Sequence, residues 1–369
     1  MYNIAGLILA AGYSSRMGSL KALLPFENQI LIKKQIQCFR DAGVSNVYIV
    51  LGHRADEIKA VLINEENIQY ILNEFYSEGM LSSVQAGVKG IHKRRYEAFF
   101  LMPVDYPLIQ PYTLEILINE YYDGVKTVYP VHKNRKGHPP LISCSLCDDI
   151  IYYRGEGGLK NILKQYDQKA VYVETGNDTI LIDIDTKQDY ESALRYTKSR
   201  IMPGPEECNF ILQYHNVPKK VIHHGKRVGQ VAKVIADILR EHHVEINSEI
   251  VYVSGLLHDF KKGTKNHALE GAKILHKMGF KMLSTIVKNH MDIEEKYLKS
   301  ISEVSVLYYA DKIVKETCII DLKKRIKEKQ EINPFIKKRM NDAGVIEKNI
   351  EKVVQKPVRD LIKEKLGES

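Results

Sequence analysis

The first half of the chain alternates two hydrophobic rhythms. Ile4 to Ala10 is an almost unbroken apolar run, the pattern of a strand buried on both faces. Leu31 to Ala42 places apolar residues three and four apart, as one face of a helix does. Asn46 to Leu51 is strand-like again and Asp56 to Leu62 helical. A further strand, Ala98 to Met102, leads into Pro103-Val104-Asp105. Strands alternating with helices predict an α/β unit with a mainly parallel sheet and right-handed crossovers. Ligands bind outside the carboxyl ends of the strands of such sheets. The loop after Ala10 and the turn at Asp105 are therefore expected on one edge.

The rhythm changes near Arg200. Met202-Pro203-Gly204-Pro205 is a turn-rich break, and Pro218 follows shortly. From Val221 onward nearly every segment reads as an amphipathic helix, including Arg227 to His242, Ile250 to Leu257 and Ala268 to Met278. The 369 residues are too many for one ordinary core. The expected division is an α/β domain at 1–200, a linker at 201–217 and an all-α domain at 218–369. The tail from residue 320 reads as further helices that complete the second core or mediate a homodimer.

Composition adds limits. Hydrophobic content of 44% with 27% charged residues describes a globular chain rather than a disordered one. The apolar stretch Ile4 to Ala11 is far short of a membrane span and lacks the flanks of a signal peptide, so a cytoplasmic protein without a membrane partner is expected. Cys144 and Cys147 form a CxxC pair, but no second pair completes a zinc site, and they read as reduced thiols. The net charge of +8 invites a nucleic-acid reading. Much of the excess lies in Lys323-Lys324-Arg325 and Lys337-Lys338-Arg339, where acidic residues are interleaved at helical spacing. That pattern is a solvated helix face, and no aromatic stacking motif accompanies it.

Two constellations carry chemistry. The first is Leu9-Ala10-Ala11-Gly12-Tyr13-Ser14-Ser15-Arg16-Met17-Gly18, directly after the first strand, with Lys21 and Pro25 beyond. Small residues let backbone N–H groups approach phosphates, while Arg16 adds a forked donor and Lys21 a compact positive charge. Asp105, at a strand end between Pro103 and Pro107, is a candidate metal ligand. Asp183 and Asp185 are read as pointing to one side of a strand, either as partners to Asp105 or as caps of the next helix.

This run resembles the nucleotidyltransferases related to molybdenum cofactor guanylyl- and cytidylyltransferases, whose LAAGxSSRMGxxKxLLP signature it matches almost letter for letter across a resemblance covering residues 3 to 197. The resemblance implies a Rossmann-like fold and Mg²⁺-dependent attack of an acceptor phosphate on the α-phosphorus of a nucleoside triphosphate. It assigns Leu9, Ala10, Ala11, Gly12, Arg16, Lys21, Asn73, Gly79 and Ser83 to nucleotide binding. It also implies an acceptor site at Gly137-His138-Pro139 and Mg²⁺ ligation by Asp105 with Asp183 or Asp185. Arg16, Lys21 and Asp105 are the implied catalytic groups. Ala11, where guanylyltransferases carry Gly, leans toward CTP. The acceptor implied is molybdopterin, with a molybdoenzyme receiving the product. A sugar- or polyol-phosphate transferase, or a nucleotide-sensing regulator, shares the same residues.

The second constellation is His224, His258-Asp259, His267, His290 and Asp311. Imidazoles and carboxylates are ligands for Mn, Fe, Zn and similar divalent ions. Its surroundings, His224-Gly225-Lys226-Arg227-Val228, Gly255-Leu256-Leu257-His258-Asp259 and Tyr308-Tyr309-Ala310-Asp311-Lys312, resemble the HD superfamily. That resemblance implies metal ligation by His224, His258, Asp259 and Asp311. A second ion would be held with His267 and His290, and Lys262 takes the place of a phosphate-contacting lysine. The expected activity is metal-dependent phosphoester hydrolysis.

Overall fold

All seven residues of β1 (Ile4–Ala10) are buried in the computed structural model, as an apolar strand with a paired neighbour on each side requires. The structure describes residues 2–322 and 334–367. The run Lys323-Lys324-Arg325 lies outside them. The chain divides into two units, Met1–Ser199 and Arg200–Ser369.

In the first unit a hairpin of β2 (Pro25–Phe26) and β3 (Gln29–Ile30) leads to α1 (Leu31–Asp41). Then come β4 (Asn46–Leu51), α2 (Ala55–Val61), β5 (Ile68–Leu72), α3 (Met80–His92), β6 (Ala98–Pro103) and α4 (Pro111–Asn119). β7 (Thr127–His132), β8 (Arg135–Lys136), β9 (Leu141–Ser143), α5 (Cys147–Tyr152), α6 (Gly158–Lys164), β10 (Ala170–Glu174) and α7 (Lys187–Ser199) complete it. The main sheet runs β10-β7-β9-β6-β1-β4-β5, with β8 on β7. β1 pairs in parallel with β4 and β6, and β4 with β5. Only β8 and β9 run antiparallel to their neighbours in this sheet.

The strand order reverses at β1, since β4 lies on one side of it and β6 on the other. Leu9 is in register with Pro103, so the loops leaving β1 and β6 emerge side by side. Connections of opposite direction open a crevice there. Leu7, Leu9, Val50, Val84, Val88 and Leu101 fill the core beneath it.

Residues 183–186 form no strand, contrary to the sequence reading. A hydrogen bond from Ile184 N to the Asp105 carbonyl (2.9 Å) holds them in place. Thr186 and Asp189 close the start of α7: Asp189 Oδ2 accepts from Thr186 N (2.8 Å), and Thr186 Oγ1 accepts from Asp189 N (3.2 Å). Neither Asp183 nor Asp185 caps that helix.

The second unit comprises α8 (Pro205–Tyr214), α9 (Lys219–Glu241), α10 (Ser248–Leu257), α11 (His267–Lys277), α12 (Lys281–Lys288), α13 (Glu295–Leu298) and α14 (Glu303–Ile313). A ribbon of β11 (Val314–Lys315) and β12 (Cys318–Ile319) follows, then helices α15 (Pro334–Val354) and α16 (Val358–Leu366). The segment 201–217, read as a linker, instead contains α8. Pro205 occupies the first turn of that helix, where its missing N–H costs nothing, and Cys208, Ile211 and Leu212 are buried. Buried Met340, Ala343, Ile346 and Ile350 of α15 complete the core of this unit.

The crossing of α9 and α10 sets the second site. A Cβ on Gly255 would lie 2.4 Å from Gly229 Cα. Only glycine at both positions lets the two backbones come this close. The approach brings His224 of α9 and His258, at the end of α10, to a ring separation of 5.3 Å.

Candidate active site and metal centre

The loop after β1, the turn after β6 and residue 185 enclose a cleft of about 470 Å³. Leu9 to Arg16, Lys21, Gly79, Ser83, Asp105 and Asp185 line it. Lys21 is mostly buried at its floor. Its Nζ donates to Asp105 Oδ2 (2.9 Å) and Asp185 Oδ1 (2.7 Å). Its backbone N–H donates to Ser14 Oγ (3.1 Å), tying the lysine to the loop. Arg16 is largely exposed and reaches Asp185 Oδ2 at 3.2 Å.

The electrostatics of this cluster are lopsided. The Lys21 hydrogen bond holds the Asp185 carboxyl below the usual carboxylate range. Burial opposes the charge on Lys21, but hydrogen bonds to Asp185 and Asp105 outweigh it and raise its pKa. Asp183 is pushed upward by burial, and Asp105 and Asp185 add to the shift. Three carboxylates thus crowd one ammonium, an excess of hard oxygen donors that fits a Mg²⁺ ion.

The other predicted residues divide. Gly79 and Ser83 face the cleft, whereas the Asn73 side chain is turned into its own loop. Its Nδ2 donates to Ser82 Oγ (2.9 Å) and Ser83 Oγ (3.0 Å), and its Oδ1 accepts from Phe75 N (3.0 Å). Gly137, His138 and Pro139 are outside the cleft lining. Backbone bonds from Gly137 N to Pro130 O (2.8 Å) and from His138 N to Ile180 O (2.9 Å) hold them. The His138 ring lies 4.3 Å from the Tyr106 ring, and its pKa is lowered by burial, with Asp105 opposing.

In the second unit the six predicted ligands converge. His224 Nε2 is 3.3 Å from Asp311 Oδ1, and His258 Nε2 is 3.4 Å from the same oxygen. Asp259 faces both ways: Oδ2 is 3.5 Å from His258 Nε2, while Oδ1 is 3.1 Å from His267 Nε2 and 3.5 Å from His290 Nε2. Two ligand groups result, His224-His258-Asp259 and Asp259-His267-His290, sharing one carboxylate.

Backbone carbonyls orient the imidazoles. Nδ1 of His258 is 2.7 Å from Gly255 O, Nδ1 of His290 2.7 Å from Val287 O, and Nδ1 of His224 2.9 Å from Glu316 O. If each Nδ1–H donates, Nε2 is left as a lone pair aimed inward, the arrangement of metal-ligating histidines. His258 Nε2 is buried and makes no hydrogen bond. Burial pushes His290 down to about 4, which keeps it neutral and able to ligate. An N/O donor set with an orphaned imidazole nitrogen fits a divalent transition metal. Lys262 Nζ is 2.5 Å from Asp259 Oδ2 and half-exposed.

Residues 6–170 match the MobA-like NTP transferase domain, and residues 221–318 match the HD domain. A molybdenum cofactor cytidylyltransferase from Escherichia coli is 32% identical over 193 residues, spanning 52% of this chain and 96% of that protein. The chain belongs to the MobA-like NTP transferase family. A probable molybdenum cofactor guanylyltransferase from Bacillus cytotoxicus is 22% identical, over 54% of this chain and 100% of that one. A nicotine blue oxidoreductase from Paenarthrobacter nicotinovorans is 27% identical, over 50% of this chain and 92% of that one. Its name denotes a redox enzyme, so membership alone does not fix the chemistry and the site has to carry it.

Two parts of this transferase and its HD domain escape sequence reasoning. Tyr76 lines the cleft, 5.2 Å ring to ring from Tyr13, and no spacing rule marks it. Lys312 is buried against Asp311 Oδ2 (2.5 Å) and the His290 carbonyl (2.8 Å). Its adjacency to Asp311 was the available signal. Among the described residues no helix is long and apolar enough to cross a membrane.

Proposed function

We propose that the first domain transfers CMP from CTP to a phosphorylated acceptor, molybdopterin, whose product passes to a molybdoenzyme. The observation that supports this reading best is Lys21 bridging Asp105 and Asp185 at the floor of a small-residue loop. An acceptor phosphate oxygen attacks the α-phosphorus, the α–β phosphoanhydride bond breaks, and pyrophosphate leaves. The obstacle is repulsion between anions, which positioning and fixed positive charge relieve. Lys21 and Arg16 face the phosphates, Asp105 and Asp185 would hold Mg²⁺, and Gly79 and Ser83 border the nucleoside. When bound, Mg²⁺ neutralises charge on the phosphate oxygens. The choice of CTP rests on Ala11, and the acceptor on the cytidylyltransferase relative.

The second domain is proposed to hydrolyse a phosphoester. His224, His258, Asp259 and Asp311 would hold one cation, and Asp259, His267 and His290 a second. When bound, such cations would supply Lewis acidity toward water and phosphate oxygens. Lys262, beside Asp259, is placed to meet the substrate phosphate.

The test incubates the full chain with each of the four nucleoside triphosphates, Mg²⁺ and molybdopterin, and measures pyrophosphate. Release with CTP above the other three supports the reading. No release with any of them sinks it, and release only with a sugar phosphate replaces the acceptor. For the second domain, a phosphoester panel with Mn²⁺ or Fe²⁺ decides, and no turnover makes it a regulatory metal domain.

A further inference from the structure

Cys144 and Cys147 stand at the two ends of one tight turn in the first unit. Cys144 opens a 3₁₀ turn, and the Cys147 N–H that follows it donates to the Cys144 carbonyl. In such a turn the side chains of residues three apart eclipse, and a rise of about 2.0 Å per residue sets their Cα atoms about 6 Å apart. A disulfide spans Cα separations of about 4.4–6.8 Å. The backbone therefore already holds this pair at bridging distance, and the two thiols share a hydrogen bond. Among the described residues no third ligand joins them in a metal-binding group.

The two sulfurs differ in access. Cys147 is fully buried in the core cluster that includes Val88, Ile91 and Leu146. Cys144 is half-buried and lines a pocket of about 460 Å³ with His92, Tyr96, Tyr121 and Lys126. A reagent entering this pocket meets Cys144, and Cys147 is met only by its neighbour. Dithiol exchange requires this asymmetry, one sulfur open to the partner and a second that resolves the adduct from within. The hydrogen bond from Cys144 holds the Cys147 thiol below its usual range, and a further bond from half-exposed His92 adds to this against burial. The same shared bond pushes the Cys144 thiol up. The negative charge of the pair thus rests on the inner sulfur, next to an imidazole that can take a proton.

We propose that Cys144 and Cys147 form a redox-active dithiol, oxidised to an internal disulfide by exchange with a small-molecule disulfide that enters the pocket at Cys144. The Cys147 thiolate accepts the Cys144 S–H proton as Cys144 Sγ attacks one sulfur of the incoming disulfide. The incoming S–S bond breaks, a mixed disulfide forms on Cys144, and the first small thiolate leaves and is protonated by water. Cys147 then passes its proton to His92 and attacks the Cys144 sulfur, and the second small thiolate leaves. Two protein thiols are oxidised to one disulfide, and the small disulfide is reduced to two thiols.

The test uses the full chain carrying Cys318→Ser, which removes an exposed thiol outside this site. The protein is equilibrated with excess glutathione disulfide, and remaining thiols are blocked with N-ethylmaleimide in denaturant before tryptic digestion. The tryptic peptide 137–154 contains Cys144, Cys147 and no other cysteine. Its mass separates two blocked thiols, an internal disulfide and a glutathione adduct. The internal disulfide is expected to dominate in the parent and to return to two thiols under dithiothreitol. Cys147→Ser is expected to stop at the glutathione adduct on Cys144, and Cys144→Ser to react about tenfold more slowly or less. Circular dichroism checks the fold of each variant, and the parent measurement decides where a variant does not fold. Two blocked thiols in the parent overturn the proposal, as does a lasting glutathione adduct beside an unreacted Cys147. Reaction of Cys144→Ser at the parent rate overturns the assignment of Cys144 as the entry sulfur.

Discussion

Lys21 Nζ lies 2.7 Å from Asp185 Oδ1, joining residues 164 apart in the chain. The contact closes the loop after β1 onto the segment that leads into α7. It also places the one buried ammonium of the cleft between Asp185 and Asp105. The same lysine is thus both a phosphate ligand in the proposed reaction and the counter-ion of the proposed Mg²⁺ site.

Lys21→Ala leaves Asp105, Asp183 and Asp185 facing one another without that cation. Repulsion then opposes both the carboxylate cluster and the incoming triphosphate. CTP-dependent pyrophosphate release is expected to fall about 100-fold or more, the scale of losing one preorganised electrostatic group. Lys21→Arg is expected to restore little, since a planar fork does not replace a compact ammonium held between two carboxylates. Steady-state rates with circular dichroism as a folding control check this. A loss below about threefold would remove Lys21 from the transfer machinery.

Asp259 directs Oδ2 to His258 and Oδ1 to His267 and His290, so it belongs to both ligand groups. Its removal is expected to empty both, whereas removal of His267 weakens only the second. Elemental analysis of protein loaded with Mn²⁺ is expected to show about two ions per native chain, near none in Asp259→Ala and about one in His267→Ala. Equal metal content in the two variants would mean that the carboxylate is not shared.

A third prediction concerns a residue with no motif around it. A Cβ on Gly52 would meet Tyr76 Cβ at 2.7 Å and the Ala11 carbonyl at 2.8 Å. Tyr76 Cβ moves only with its own backbone, and the Ala11 oxygen belongs to the phosphate-binding loop and also accepts from His53 N (3.1 Å). Gly52→Ala is therefore expected to move that loop and raise KM for CTP about tenfold, with about 1–3 kcal/mol of destabilisation. Initial rates against CTP concentration, with thermal unfolding in parallel, measure the two effects. An unchanged KM would show that the loop tolerates the shift.

These outcomes indicate what the sequence could and could not convey. β1, α1, β4 and β6 were legible because burial on one or both faces leaves a periodic trace in the residues themselves. His224, His258-Asp259 and Asp311 were legible as candidate ligands because each stands in a local motif. By contrast, α8 was hidden behind Pro203-Gly204-Pro205, which reads as a break although Pro205 starts a helix. The antiparallel insertion of β9 between β6 and β7 depends on long-range pairing, which alternation does not encode. Asp183 and Asp185 mimic a strand period while their backbone is fixed by bonds from Ile184 N to the Asp105 carbonyl and from Asp185 N to Asp189 Oδ2. Lys337-Lys338-Arg339 reads as a solvated face, yet Arg339 turns from it to Asp292.

The pH dependence of stability offers a last measurement. His215 packs its ring 5.1 Å from Phe260, on the residue that follows His258-Asp259. Burial, with Lys261 nearby, pushes its pKa from 6.5 to about 4. Between those values the unfolded chain binds a proton that the folded chain does not. The difference in bound protons, unfolded minus folded, is therefore positive, and stability rises with pH across the window. Read downward, this contribution is intact above about pH 6.5 and lost progressively until pH falls through about 4. His215→Phe keeps an aromatic ring against Phe260 and removes the proton site. Its Tm is expected to change less between pH 4.5 and 6.5 than that of the native chain, with the two curves parallel above about pH 7. Other histidines contribute equally to both proteins, so the difference between the curves isolates residue 215. Superimposable slopes would show that His215 is protonated as readily folded as unfolded.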